Sequence, residues 1–131
     1  MDRYVLITGS AGLIGSEAVE FFAKKKFKII GIDNNYRKFF FGNSGSVGKR
    51  NQQLKKQYKN YKHFNLNLND FSKIKNIFSS FNSKIKLIIY AAAQPSHDWT
   101  LKNPLNNITK FVIYFLILNF SFNYLFLQGS L

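Results

Sequence analysis

Tyr4-Val5-Leu6-Ile7-Thr8-Gly9-Ser10-Ala11-Gly12-Leu13-Ile14-Gly15 decides the fold. It reads as a strand, a glycine-rich turn and the start of a helix, the arrangement that cradles the pyrophosphate of a dinucleotide. Each glycine has its own mechanical task. The first allows the tight turn, the second lets the backbone approach the phosphates, and the third lets the helix pack closely on the strand. Free N–H groups at the helix start then face the anion.

Outward from this unit, strands and helices alternate. Apolar positions Ile14, Ala18, Phe21 and Phe22 predict a helix from Leu13 to about Ala23. Lys28 to Asp33 forms a second strand ending in an acid. Residues 34–50 hold Asn34, Asn35, Gly42, Asn43, Ser44, Gly45, Ser46 and Gly48, so most of that stretch reads as loop. A polar helix follows from Asn51 to about Lys59, then a third strand from Tyr61 to Leu66. Asp70 caps a helix that runs to about Phe81 with Ile74, Ile77, Phe78 and Phe81 on one face. Lys86 to Ala91 is a fourth strand, apolar enough to be buried in a parallel sheet. The expected class is α/β, a Rossmann-like doubly wound parallel sheet amounting to a truncated N-terminal half, with strands in the order 3-2-1-4.

Asp33 lies eighteen residues after Gly15, near the spacing of about twenty at which an acid meets the adenosine ribose of a dinucleotide. Its carboxylate would accept from the ribose hydroxyls and repel a 2′-phosphate, which favours NAD over NADP. Arg37 keeps that choice open, because it can pair with a phosphate or stack on adenine. The small residues Ala91, Ala92 and Ala93 follow the fourth strand, where ligands of open parallel sheets lie. They let the nicotinamide end pass close to the backbone, and they equally suit a tight turn begun by Pro95.

Composition limits the alternatives. The 131 residues contain no cysteine, which excludes disulfides, thiolate metal sites and a cysteine nucleophile. Two His and six acidic residues are scattered without ligand spacing, so no metal site is expected. The first apolar run breaks at Gly9 after four residues, which marks a strand and not a signal peptide, and makes the cytoplasm the default compartment. The net charge of +13 accompanies abundant Asn, Lys, Ile, Phe and Tyr, the set that AT-rich coding favours. It implies salt-sensitive attraction to polyanions and leaves a basic nucleic-acid-binding domain as an alternative supported by charge alone, with no specific nucleic-acid partner expected.

These residues resemble the extended short-chain dehydrogenase/reductase family, the NAD-dependent epimerases and dehydratases of nucleotide sugars. Gly31-Ile32-Asp33-Asn34-Asn35-Tyr36-Arg37-Lys38-Phe39-Phe40-Phe41-Gly42 and Ala92-Ala93-Gln94-Pro95-Ser96-His97-Asp98-Trp99 resemble its CDP-paratose 2-epimerase (CDP-tyvelose epimerase) group. The resemblance implies that Gly9, Ser10, Ala11, Gly12, Leu13, Ile14, Gly15, Asp33, Asn34 and Arg37 hold the adenosine half of NAD. It further implies Asn67 and Leu68 after the third strand, and Ala91, Ala92, Ala93 and Gln94 beside the nicotinamide ribose. Enzymes of this group oxidise a sugar carbon with bound NAD and return the hydride to the opposite face. The nucleotide sugar, a CDP-sugar, is a partner of the full-length family only.

Three departures from the family pattern stand out. Asn67 replaces the usual acid at the adenine. Phe111 falls where a cofactor-side Asn is expected. The family's Ser/Thr and Tyr-x-x-x-Lys come later than residue 131, so no catalytic residue is assigned. Tyr58-Lys59-Asn60-Tyr61-Lys62 matches Tyr-x-x-x-Lys but precedes the third strand, away from where a nicotinamide would lie. The dinucleotide-binding portion is therefore expected at 1–107 and a divergent apolar tail at 108–131. Within that tail 111–127 is uncharged, which raises membrane association as an alternative. Asn119, Ser121 and Asn123 argue against insertion.

Overall fold

The computed structural model describes residues 2–92 and Lys102. Four parallel strands, β1 (Tyr4–Thr8), β2 (Lys28–Ile32), β3 (Tyr61–Phe64) and β4 (Ile85–Tyr90), form one sheet in the order β3-β2-β1-β4. The helices between them are α1 (Leu13–Lys24), α2 (Arg37–Phe41), α3 (Gly48–Gln57) and α4 (Phe71–Phe81). This is the α/β Rossmann-like arrangement, and the strand order is the one expected from right-handed crossovers on either side of β1.

Alternation along the strands divides the core in two. Val5, Ile7 and Ile29 face α1 and α3, where they pack with Val19, Ala23, Leu54, Tyr58 and Tyr61. Leu6, Ile30 and Ile32 face the other way and meet Ile74 and Ile77 of α4. Asp70 caps α4 as expected, its Oδ1 accepting from the Lys73 N–H at 3.3 Å. Phe78 and Phe81 pack on the same cluster.

Three local expectations are corrected. Ile14 and Phe21 were expected on the buried face of α1, yet they are 71% and 55% exposed, while Gly15, Ser16, Val19 and Ala23 are buried. The cause is Gly15, whose missing side chain lets the helix sit closest to the turn on that side, so the buried stripe runs 15-19-23. The stretch 34–50 is less a loop than expected. Arg37–Phe41 makes a helical turn, Gly42–Gly45 a 3-10 turn, and α3 begins at Gly48. Aromatic self-packing holds that turn, with the Tyr36 and Phe39 rings stacked at 5.5 Å and Phe40 edge-on to both. Finally, β4 is half-exposed and not buried, with Leu87 and Tyr90 both open to solvent. It pairs with β1 along one side and is the last strand of the described sheet.

Candidate functional site

The carboxyl ends of β1, β2 and β4 converge on the glycine turn. Gly9 has φ +64°, a conformation that side chains rarely adopt. A Cβ there would lie 2.8 Å from the Ala91 carbonyl oxygen and from Ala92 Cα. The turn is tied down from both sides. The Gly9 N–H donates to the Ile32 carbonyl at 2.7 Å, and Gly12 N–H to the Gly9 carbonyl at 3.0 Å. On the β4 side, the Ala91 N–H donates to the Thr8 carbonyl at 3.2 Å, and the Ala92 N–H to Thr8 Oγ1 at 3.3 Å.

Helix α1 starts from Gly12 with no side chain capping it. Among the described residues the N–H groups of Leu13 and Ile14 meet no acceptor, and both side chains are exposed. That leaves a positive helix end open at the strand termini, the chemistry that binds a phosphate. Gly15 closes the unit, since a Cβ there would overlap the Gly9 carbonyl oxygen.

Asp33 stands beside this turn, half-buried. Its Oδ2 accepts from the Ala11 N–H at 3.1 Å and its Oδ1 from the Asn35 N–H at 2.7 Å. Each oxygen keeps a further lone pair for a ligand hydroxyl. Glycine cradle, open helix end and acid therefore occur together, and the residues present fit a dinucleotide.

The other expected residues distribute unevenly. Ser10 belongs to the turn but directs its hydroxyl inward, fully buried, to Tyr61 Oη at 2.9 Å. Ala11 is buried, its N–H engaged by Asp33. Asn34 Oδ1 accepts from the Tyr36 N–H at 3.2 Å, shaping the bend before α2. Arg37 opens α2 with its guanidinium 5.2 Å from the centre of the Phe41 ring. Asn67 is exposed beyond β3, its Oδ1 accepting from the Asn69 N–H, while Leu68 packs on the α4-side core. Ala91 and Ala92 flank Gly9 as described. Ala93, Gln94 and the apolar stretch 111–127 lie outside the described residues.

Two groups were not foreseen in the sequence. Asn35, at φ +56°, donates through Nδ2 to Ser46 Oγ at 3.0 Å and accepts at Oδ1 from the Val47 N–H at 2.9 Å. It pins both ends of the segment that contains α2. Asn before an aromatic run was the available signal, since Asn tolerates positive φ. The second is Gly31, where a Cβ would collide with the Tyr61 ring and lie 2.6 Å from Ser10 Oγ. Burial pushes the Tyr61 phenol up to about 12.

Tyr58 and Lys62 are split by the sheet. Tyr58 sits at the end of α3, beside the amino end of β3, and its hydroxyl donates to the Glu20 carboxylate at 3.1 Å. Lys62 lies on the α4 face, over the rings of Phe64 and Phe81. His63, on the edge strand, has Nε2 3.1 Å from the Asp33 carbonyl oxygen, and burial lowers its pKa.

The NAD dependent epimerase/dehydratase family model matches residues 5–118, reaching past the boundary expected at 107. UDP-glucuronate 4-epimerase of Thermodesulfobacterium geofontis is 29% identical over 103 residues, covering 77% of this chain and 29% of that protein. The bifunctional protein gal10 of Schizosaccharomyces pombe is 33% identical over 111 residues, covering 82% of this chain and 14% of that one. Among solved structures, the UDP-Glc/GlcNAc 4-epimerase of Campylobacter jejuni superposes with a TM-score of 0.61 at 27% identity. That likeness covers 82% of this chain and 30% of that one. The chain thus spans less than a third of the length of each of these relatives. The family is NAD-dependent, in keeping with the cofactor expected from Gly9 to Gly15 and Asp33.

Proposed function

Since this chain belongs to the NAD-dependent epimerase/dehydratase family, we propose that it is the NAD-binding part of a nucleotide-sugar epimerase acting on a CDP-sugar. The observation that carries the cofactor half is the joining of three features at one strand end. These are the glycine turn, the open N–H groups of Leu13 and Ile14, and the Asp33 carboxylate. The CDP-paratose 2-epimerase reading rests on the resemblance at 31–42 and 92–99. The Thermodesulfobacterium geofontis relative and the Campylobacter jejuni structure carry UDP-sugar names, so the sugar nucleotide is the point to test.

Bound NAD supplies reversible oxidation of a sugar carbon. The chain's own residues hold and orient. Leu13 and Ile14 offer backbone donors to the pyrophosphate, and Gly9 keeps the turn flat enough for its approach. Asp33 accepts from the adenosine ribose while its negative charge opposes a 2′-phosphate. Ala91 and Ala92 leave the β4 terminus clear of bulk. Tyr58 is unsuited to take the sugar proton, being bound to Glu20 at the opposite end of the sheet.

Isothermal titration of the 131-residue chain tests the cofactor. NAD should bind more tightly than NADP, and Asp33→Ala should weaken NAD by about tenfold, the equivalent of one charge-assisted hydrogen bond. Absence of heat at millimolar NAD in a folded chain would refute the assignment. For the sugar, which is a partner of the full-length family only, saturation-transfer NMR of the whole epimerase in the presence of NAD should favour a CDP-sugar over its UDP counterpart. Equal or reversed preference would return the chain to the UDP-sugar branches.

A further inference from the structure

We propose that Tyr61 is a positioning residue for the pyrophosphate-binding turn, acting through Ser10 and anchored by Asn51. The inference rests on the NAD-binding reading of Gly9 to Gly15 and adds a residue remote from it in sequence. Tyr61 opens β3, two strands away from the turn that follows β1. Its hydroxyl lies 2.9 Å from Ser10 Oγ and 3.1 Å from Asn51 Oδ1 on α3.

The direction of this chain follows from proton count. A phenol has one proton and Asn51 Oδ1 only accepts, so Tyr61 donates to Asn51 and must accept from Ser10. The Ser10 hydroxyl is thereby held as an inward donor. Ser10 is fully buried and Tyr61 nearly so, which makes an unmade bond here costly. Gly31 is what lets the ring pass. It stands on β2 between the two partners, and any side chain there would occupy the space of both the Tyr61 ring and Ser10 Oγ.

The other tethers of the turn are backbone bonds from Gly9 and Ser10 to Ile32 and from Gly12 to Gly9, and the Asp33 contact to Ala11. Of the bonds that the structure gives Ser10, the Ile32 contact is long at 3.4 Å, leaving the hydroxyl as its firmer tie. Ser10 in turn fixes where Gly12 places the first N–H groups of α1. A buried phenol two strands away thus sets the aim of Leu13 and Ile14.

The test compares the 131-residue chain with Tyr61→Phe, Ser10→Ala and the double variant. Titration with NAD and with adenosine is combined with amide exchange across residues 9–15. Tyr61→Phe keeps the ring that fills the core and removes only the hydroxyl. It should raise exchange at Ser10 to Gly12 and weaken NAD by about tenfold, as loss of one buried hydrogen bond implies. Adenosine carries no phosphate for the turn to meet, although Asp33 itself is held by the Ala11 N–H, so it should lose clearly less affinity than NAD. The double variant should be no worse than Tyr61→Phe alone. Unchanged exchange and unchanged NAD affinity in Tyr61→Phe overturn the proposal while leaving NAD binding in place. Equal losses for NAD and adenosine also overturn it, showing a structural effect only. Failure of the parent chain to bind NAD sinks the cofactor reading instead, and amide exchange then decides alone whether Tyr61 sets the turn.

Discussion

Replacing Gly15 by Ala tests whether close approach, and not helix propensity, governs the start of α1. On propensity alone Ala would stabilise a helix position by about 1 kcal/mol over Gly. The structure opposes that gain. The new Cβ would overlap the Gly9 carbonyl oxygen and lie 2.7 Å from Gly9 C and 3.0 Å from Ser10 Cα. All three are backbone atoms, so no side chain can swing aside. Comfortable separations begin near about 3.5 Å, so α1 must withdraw by on the order of 1 Å. Overpacking of this kind costs about 1–3 kcal/mol, and a backbone-only clash belongs at the upper end. The net expectation is a loss of about 2 kcal/mol, or roughly 8 °C in melting temperature for a chain of this size. Withdrawal also carries the Leu13 and Ile14 N–H groups away from the pyrophosphate, so NAD affinity should drop by at least about tenfold. Gly12→Ala is the control, because its Cβ meets only the Gly9 oxygen, at 3.3 Å. It should cost under about 1 kcal/mol. A Gly15→Ala chain that melts at or above the parent and binds NAD equally well would refute the reasoning.

Three further outcomes are expected. Gly42→Ala should destabilise by about 1–3 kcal/mol, because φ 61° and ψ −151° suit only glycine, although no atom lies near the added Cβ. An unchanged urea midpoint would count against that conformation. His63 is held below its ordinary pKa of 6.5 by burial and by Lys55, so the unfolded chain takes up its proton first as pH falls. The His63 contribution should be complete above the unfolded value and decline as pH drops from there to the lower folded value. Urea midpoints measured from pH 8 to 5 should slope less steeply in His63→Gln. Tyr58→Phe should leave NAD affinity untouched and cost about 1–2 kcal/mol, the worth of a part-buried bond to the Glu20 carboxylate. A marked loss of cofactor binding would reopen Tyr58 to Lys62 as part of the site.

The strands were legible because each is a short apolar run bounded by turn residues, and their order follows from crossover handedness. Asp33 was legible because it ends β2 at a definite distance from Gly15. What escaped depends on partners far away in sequence. Nothing near Ser10 shows that its hydroxyl points inward, since Tyr61 lies 51 residues on. The rotation of α1 escapes the local sequence because Ile14 and Phe21 look like core residues until the Gly15 contact fixes which side faces the sheet. Aromatic packing turned Arg37–Phe41 into helix against the pull of the surrounding Gly, Ser and Asn. Half-exposure of β4 follows from its place at the end of the order 3-2-1-4, and the apolar run Leu87-Ile88-Ile89 hides it by reading as a buried strand.

The sheet order also sets a timetable for synthesis. β1 is made first, yet one of its two neighbours is β4, whose Tyr90 pairs with Thr8 from about eighty residues downstream. At about 5–20 residues per second a ribosome needs on the order of 4–16 s to deliver it. During that interval β2 and β3 can dock on one side, while the other edge of Val5-Leu6-Ile7 presents unpaired backbone groups. The nascent chain thus carries a sticky, apolar seam through seconds of elongation, and codons that slow translation before Tyr90 would lengthen its exposure to aggregation.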